Sequence, residues 1–403
     1  MNAGVDQVKS RTWVLPFVVT LAAMFTMQLS NLGFAPLLPS MQQDIGMSFT
    51  QLGLFTGLYG IIALLSSVPA GFAARQFGEK RVLVLGLIGL AIGSVLLGQA
   101  HSFGSAITFR GLSIFGYRFA FVCVLIAVAL TSPPSMRGRS MGILGATSAM
   151  ASVIGSPLGG EMVDDFGWRT AILGYAGMAL LGAMLFGLFY RPANVAVAAH
   201  PELDEQPGLG QRSPYASPVL WLLTIVVGLG GFGQFTITHF IPSVAESVYG
   251  LDAGASGFII SIGYLCAIAM NLLIGVLADR FNKLAVLGVM FALMIVASAS
   301  MTIQSETAFR IASAAVISVG FAATNQLYGL AGALMPRREA ASAMGMVSLG
   351  AGVFGYFGPQ LLGILRDATG AFNAGFYLVM CSDMVALALF GLLYRLTRSW
   401  KWK

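Results

Sequence analysis

Three arginines lie inside long apolar stretches of this sequence, where charged groups are rare. Arg110 and Arg118 fall within residues 106–131, and Arg310 falls within residues 307–334. A guanidinium group stays charged, so in hydrocarbon it needs water, a counter-ion or a bound anion. Its planar donors pair with carboxylates and similar groups through two hydrogen bonds. These arginines therefore predict an anion-binding site, and the alternative is a structural ion pair.

Arg118 is the leading candidate because of its depth. It lies about twelve residues, or roughly 18 Å, from the start of residues 106–131, near the midplane of a bilayer. Arg110 lies about two turns nearer that start, and Phe109-Arg110 resembles Phe309-Arg310 in the second half of the chain. We expect Arg118 to bind the charged group of a substrate, with Arg110 or Arg310 assisting.

The composition indicates a membrane protein. The chain has 403 residues, of which 57% are hydrophobic and 9% charged, and it contains 50 glycines. Soluble domains carry roughly a quarter charged residues, so an ordinary soluble protein is excluded. The net charge is +6, but the basic residues lie in short loops between apolar runs. That distribution is a membrane-topology signal and does not indicate a nucleic-acid-binding face.

Apolar runs of suitable length predict twelve membrane helices. The run that follows Lys9 and Arg11 is interpreted as the first of these helices and not as a cleaved signal peptide. The predicted helices cover residues 13–37, 50–74, 82–100, 106–131, 140–163, 170–190, 218–242, 253–278, 284–303, 307–334, 341–365 and 373–395.

Lysine and arginine distribute unequally between the two sides of this topology. Seventeen lie on the side of both termini, whereas the other side has only Arg169 and Arg366. Because cytoplasmic loops are enriched in these residues, both termini are predicted to be cytoplasmic. We expect an integral protein of the bacterial inner (plasma) membrane, with the lipid bilayer as its surroundings.

The two halves of the sequence repeat each other. Asp164-Asp165-Phe166-Gly167 matches Asp367-Ala368-Thr369-Gly370 at an offset of 203 residues. With an even number of helices, each half keeps its orientation, so the halves are related by an axis along the membrane normal. We predict an N-terminal six-helix bundle over residues 1–190, a cytoplasmic linker over 191–217 and a C-terminal six-helix bundle over 218–403.

Short motifs in the loops and helices resemble those of the major facilitator superfamily, in order along essentially the whole chain. They are GVLADRFNK at 275–283, the divergent GFAARQFGEKR at 71–81 and GSPLGG at 155–160. The resemblance implies an all-α membrane protein with 12 transmembrane helices in two six-helix pseudo-symmetric bundles. It also implies a substrate site between the bundles, and a monomer.

The loop motifs suggest gating residues. In this family an aspartate of the motif lies beside the start of a helix in the other half, but Arg75 occupies that position in the first copy. One hypothesis is an inverted pair between Arg75 and Glu339, with Asp279 near Arg137 and Arg139. The alternative is that Arg75 is an ordinary arginine of a cytoplasmic loop in a degenerate motif.

Uncharged polar residues at helical spacing predict the lining of a polar cavity. Any one of them is more typical of packing, and together they suit a substrate site. The set comprises Gln28, Asn31, Tyr59, Tyr117, Gln234, Thr238, Tyr264, Asn271, Asn325, Tyr328, Tyr356 and Gln360.

Two titratable residues are candidates for proton coupling. Asp383 is the one carboxylate predicted near the midplane, and a structural, capped or protonated acid is the competing interpretation. His239 lies in the outer part of the seventh predicted helix and could titrate near neutral pH. A hydrogen-bonded structural histidine is the alternative.

The sequence favours a transporter over an enzyme. Its three histidines are scattered, and it contains no phosphate-binding glycine loop with its lysine and no HExxH motif. We therefore expect no enzymatic activity, no metal site and no cofactor, and transport driven by a gradient or by exchange.

Three membrane arginines against one carboxylate near the midplane favour a small anionic substrate, an organic acid, moved by alternating access. A drug/proton antiporter of the multidrug type is the second interpretation, and the absence of an acid in the first predicted helix counts against it. A non-transporting receptor on the same scaffold is a third.

Overall fold

The computed structural model describes residues 13–133, 136–191, 217–333 and 340–397. All regular elements in these residues are helices, as predicted, and a short 3-10 helix, Ala35–Leu37, follows the first. The α-helices are α1 (Val14–Leu32), α2 (Leu38–Ile45), α3 (Phe49–Phe77), α4 (Glu79–Gly98), α5 (Phe103–Thr131), α6 (Arg137–Phe189), α7 (Pro218–Tyr249), α8 (Ala253–Arg280), α9 (Lys283–Ser300), α10 (Glu306–Ala333), α11 (Ala340–Thr369) and α12 (Asn373–Thr397).

The described residues contain eleven helical runs that are long and apolar enough to cross a membrane. The longest, α6, has 53 residues, whereas one crossing needs about 20. Gly167 interrupts it with a φ of 80° and a ψ of 159°, a conformation that glycine adopts without strain. Residues 137–166 and 168–189 are each long enough to cross, which accounts for twelve passes. The predicted fifth and sixth helices are thus separated by a one-residue break.

Two helices end well away from their predicted ends. The first ends at Leu32, and its cap residue Gly33 packs so closely that a β-carbon there would lie 2.4 Å from the Tyr175 hydroxyl. The seventh continues through Pro242 to Tyr249. Proline removes one backbone donor, and membrane helices tolerate this where neighbours satisfy the freed carbonyl.

Packing divides the chain into two units. The first comprises Met1–Gly46 with Leu65–Pro201, and the second comprises Met47–Leu64 with Glu202–Lys403. The helix α3 therefore contributes its first part to the second unit and its last part to the first unit.

In the first unit, α5 is held against α4 by a close contact between glycines. A β-carbon at Gly116 would lie 2.4 Å from the backbone nitrogen of Leu90, and one at Gly86 would lie 2.7 Å from the carbonyl oxygen of Gly116. Only glycine permits this approach of two backbones. The contact fixes α5 and the side chains that follow Gly116.

In the second unit, the first part of α3 packs on α11. A β-carbon at Gly53 would lie 2.3 Å from the carbonyl oxygen of Pro359, and one at Gly57 would lie 2.4 Å from that of Tyr356. The Asp367 carboxylate accepts hydrogen bonds from the first two backbone N–H groups of α3, at 3.1 and 2.7 Å. The first turn of α3 therefore receives its cap from the end of α11.

Candidate functional site

Arg118 lies near the middle of the 29-residue α5, and its side chain is half-buried. Its Nη2 donates a hydrogen bond of 3.2 Å to Oγ of Ser67 in α3. Its Cζ lies 5.3 Å from the ring centroid of Phe121, within the range of a cation–π interaction. The serine hydroxyl and the phenyl ring are neutral groups, so these two contacts help to orient the guanidinium and leave its charge unchanged.

The preceding residue, Tyr117, belongs to a buried hydrogen-bond network. Its hydroxyl donates to Oε1 of Gln28 in α1 at 2.5 Å, and Nε2 of Gln28 donates to Oγ of Ser148 in α6. Tyr117 and Gln28 are buried. Because both ends of the Gln28 amide have a partner, its orientation is set. The network connects three helices beside Arg118 and brings together two residues predicted to bind substrate.

Phe121 connects this network to the arginine. Its ring stacks on that of Tyr117, with centroids 5.9 Å apart and an interplanar angle of 22°. Residues 117 and 118 lie four and three positions before Phe121, and such residues are neighbours on a helix surface. The phenyl ring of Phe121 therefore contacts both the hydrogen-bonded Tyr117 and the guanidinium of Arg118.

Arg110 occupies a different environment on the same helix. It is 7% exposed, and its Cζ lies 4.0 Å from the ring centroid of Phe34. Eight residues separate it from Arg118, or about 12 Å along the axis. The contact with Phe34 favours a packing role for Arg110. Asn31, another predicted site residue, lies in the last turn of α1 and is half-buried.

The second unit brings two pairs of predicted residues together. Gln234 in α7 interacts with the Tyr264 hydroxyl in α8, and Tyr59 lies near that hydroxyl. Nδ2 of Asn325 in α10 donates to Oδ1 of Asn271 in α8 at 3.3 Å. These neutral groups can exchange hydrogen bonds with a polar molecule.

Other predicted residues make contacts of a structural kind. Arg310 forms an ion pair with Glu306 one turn earlier in α10, at 2.8 Å, and both side chains are more than two-fifths exposed. Tyr328 packs against the hydrophobic core of the second unit. Thr238 donates to the carbonyl of Gln234 in its own helix. Tyr356 and Gln360 both pack against the first part of α3.

The two candidates for proton coupling are both hydrogen-bonded. Asp383 is fully buried, and its Oδ2 lies 2.7 Å from Oγ of Ser298 in α9. Its Oδ1 is buried without a hydrogen-bond partner among the described residues. A carboxylate so placed is costly when charged, which favours a neutral acid. Nδ1 of His239 lies 2.7 Å from the carbonyl oxygen of Phe235, which selects the tautomer with its proton on Nδ1.

Part of the gating hypothesis falls outside the described structure. Arg75, in the last turn of α3, and Arg139, near the start of α6, have exposed side chains. Glu339 lies outside the described residues, as do the side chains of Arg137 and Asp279. The pairing of Arg75 with Glu339 therefore stays a prediction.

Sequence reasoning missed three residues that contact the arginine or its network, namely Ser67, Ser148 and Phe121. The helical spacing of Phe121 from Tyr117 and Arg118 is a usable signal. Single serines in apolar helices carry no such signal, because their contacts depend on the packing of helices that are distant in sequence.

The described helices provide enough passes for a twelve-helix membrane protein, with a mid-helix arginine and a buried polar network, an arrangement suited to a membrane transporter, and the family is shown by sequence. The family model described as Major Facilitator Superfamily matches residues 19–330 and 249–403. The chain therefore belongs to the Major Facilitator Superfamily, a family of transporters and not of enzymes.

Two relatives and one solved structure are similar over nearly their full length. The relative from Staphylococcus haemolyticus named "Probable nitrate transporter NarT" is 25% identical, over 90% of this chain and 92% of its own. The relative from Cupriavidus necator named "Probable sulfoacetate transporter SauU" is 23% identical, over 92% and 91%. The crystal structure of a bacterial homologue of the human lysosomal transporter Spinster, inward-facing and occupied, has a TM-score of 0.81 and 17% identity. It covers 96% of this chain and 98% of its own.

Proposed function

We propose that this protein is a secondary transporter that moves a small anionic solute, an organic acid with a carboxylate, by alternating access. Arg118 would hold the charged group. The main support is the position of its guanidinium, which lies halfway along α5, is half-buried and contacts Ser67 and Phe121. Because this group stays charged within the membrane, a bound anion would offset the energetic penalty of its position.

The names of the relatives support the same substrate class. Nitrate and sulfoacetate are both anions, and sulfoacetate carries a carboxylate as well as a sulfonate. A guanidinium donates through its edge to two oxygens of such groups. We further propose a bacterial inner-membrane location with cytoplasmic termini, from the distribution of lysine and arginine.

Transport by the purified protein in liposomes tests the proposal. Uptake of radiolabelled nitrate, sulfoacetate, succinate and lactate would be compared with that of empty liposomes, with and without an imposed pH gradient. We expect uptake of at least one of the three carboxylates, sulfoacetate, succinate or lactate, above the empty control, and nitrate tests whether the carboxylate is required. Extrusion of ethidium with no anion uptake would instead support a drug/proton antiporter, and would contradict the proposal.

A further inference from the structure

The Arg118 side chain has several rotatable bonds, and ordering such a side chain opposes binding unless it is already held in place. Its hydrogen bond to Ser67 fixes the position of one nitrogen. The ring of Phe121, with its centroid 5.3 Å from Cζ, is a further contact that restricts the guanidinium.

Phe121 is itself held through a series of contacts that ends on other helices. Its ring stacks on Tyr117, the Tyr117 hydroxyl bonds to Gln28, and the Gln28 amide bonds to Ser148. Each partner of the Gln28 amide lies on a different helix, α5 or α6. The ring next to Arg118 thus rests on a buried and hydrogen-bonded tyrosine.

We infer that Phe121 is a positioning residue, whose ring holds the Arg118 guanidinium in the orientation that receives the anion. This inference rests on the proposed function. The ring lies 5.3 Å from Cζ of the guanidinium, and an anion would bind the N–H donors at the edge of the group, where two oxygens can be bound side by side. The role predicts an effect on the affinity for the anion, with little effect on maximal transport.

Two aromatic residues on α5 permit a matched comparison. Phe119 is also half-buried, but its ring pairs with that of Phe115 at 4.5 Å. Phe121→Leu removes the ring beside Arg118 and keeps an apolar side chain. Phe119→Leu makes the same change two residues away, and Phe121→Tyr retains the ring.

The KM and maximal rate of uptake in liposomes would be measured for these variants, and the presence or absence of uptake for Arg118→Gln. The probe is whichever of nitrate, sulfoacetate, succinate and lactate the unaltered protein takes up fastest. We expect Phe121→Leu to raise KM about fivefold, equivalent to about 1 kcal/mol, with the maximal rate retained. Phe121→Tyr and Phe119→Leu should stay within about twofold of the unaltered KM.

Two results would overturn the inference. One is an unchanged KM for Phe121→Leu. The other is a lower maximal rate at constant KM, because that pattern indicates a structural role. The proposed role of Arg118 fails separately, if Arg118→Gln transports normally. If none of the four anions is taken up, the proposed function fails, and the inference fails with it.

Discussion

The hydroxyl of Tyr117, the residue before Arg118, donates a hydrogen bond of 2.5 Å to Oε1 of Gln28. This bond joins α5 to α1 where neither polar group reaches water, since both side chains are buried. A buried acceptor that loses its donor retains its full desolvation penalty. The bond therefore both stabilises the first unit and sets the surroundings of the arginine.

Tyr117→Phe should destabilise the protein by about 1 to 3 kcal/mol, because Oε1 of Gln28 loses its donor in a buried position. Thermal unfolding of the protein in detergent would measure this as a lower midpoint. Tyr377→Phe is the control, because Tyr377 is about half exposed. Equal midpoints for the two variants would show that the bond contributes nothing.

Asp383→Asn should preserve both stability and uptake. The neutral amide is nearly isosteric with a protonated acid and can keep a hydrogen bond to Ser298. The measurement is uptake of the transported anion with and without an imposed pH gradient. If the variant remains folded and loses only the gradient-driven uptake, Asp383 exchanges a proton during transport and is not simply structural.

Gly57→Ala should destabilise the second unit, since its β-carbon would lie 2.4 Å from the carbonyl oxygen of Tyr356. Overpacking of this kind costs about 1 to 3 kcal/mol. Gly71→Ala, on the same helix, meets no heavy atom within 4 Å in the described residues and is the control. An unfolding midpoint for Gly57→Ala equal to that of Gly71→Ala would contradict the close packing of α3 on α11.

Arg310→Gln should leave the KM for the anion within about twofold of that of the unaltered protein, because Arg310 is already paired with Glu306. The loss of this exposed ion pair should also change the stability of the protein little. Glu306→Gln is the companion variant and releases the arginine from its partner. A KM raised severalfold by Arg310→Gln would instead show that Arg310 helps to bind substrate, as its position in the repeat suggests.

Sequence patterns were sufficient for the class of fold. Long apolar runs separated by basic loops predict membrane helices directly, because the bilayer dictates their length and composition. Helix ends were less predictable. Ser102 caps α5 and begins it at Phe103, three residues before the predicted start. Polar residues at the membrane surface can continue a helix, and hydropathy alone does not show where it ends.

The repeat was informative at particular positions. Gly167 and Gly370, matched at an offset of 203 residues, have φ values of 80° and 73°, so both copies place a positive-φ glycine at this position. The two copies of the loop motif differ at the residue before the next helix, which is Gly78 in the first copy and Asn282 in the second. Gly78 has a φ of 84° before α4, whereas Asn282 caps α9 with its own side chain in an ordinary conformation. Asparagine thus replaces glycine by supplying a hydrogen-bond acceptor to the helix start.

Charge, polarity and spacing in the sequence point to Arg118 and Tyr117 as candidate site residues, and their role stays a prediction. The sequence does not show the partners that contact them. The helical spacing of Phe121 allows a contact with Tyr117 and Arg118, and the structure shows its ring beside the guanidinium. The amide pair of Asn271 and Asn325 also depends on how α8 meets α10, which residue types alone do not determine.

The most direct test of the central claim is uptake of the transported anion by Arg118→Gln and Arg118→Lys in liposomes. Arg191→Gln is the control, because Arg191 is exposed and lies two residues after Phe189, the last residue of α6. We predict that Arg118→Gln abolishes uptake, that Arg118→Lys retains a small part of it at a raised KM, and that Arg191→Gln transports normally. Normal uptake by a folded Arg118→Gln variant would contradict the assignment of Arg118 as the anion-binding residue.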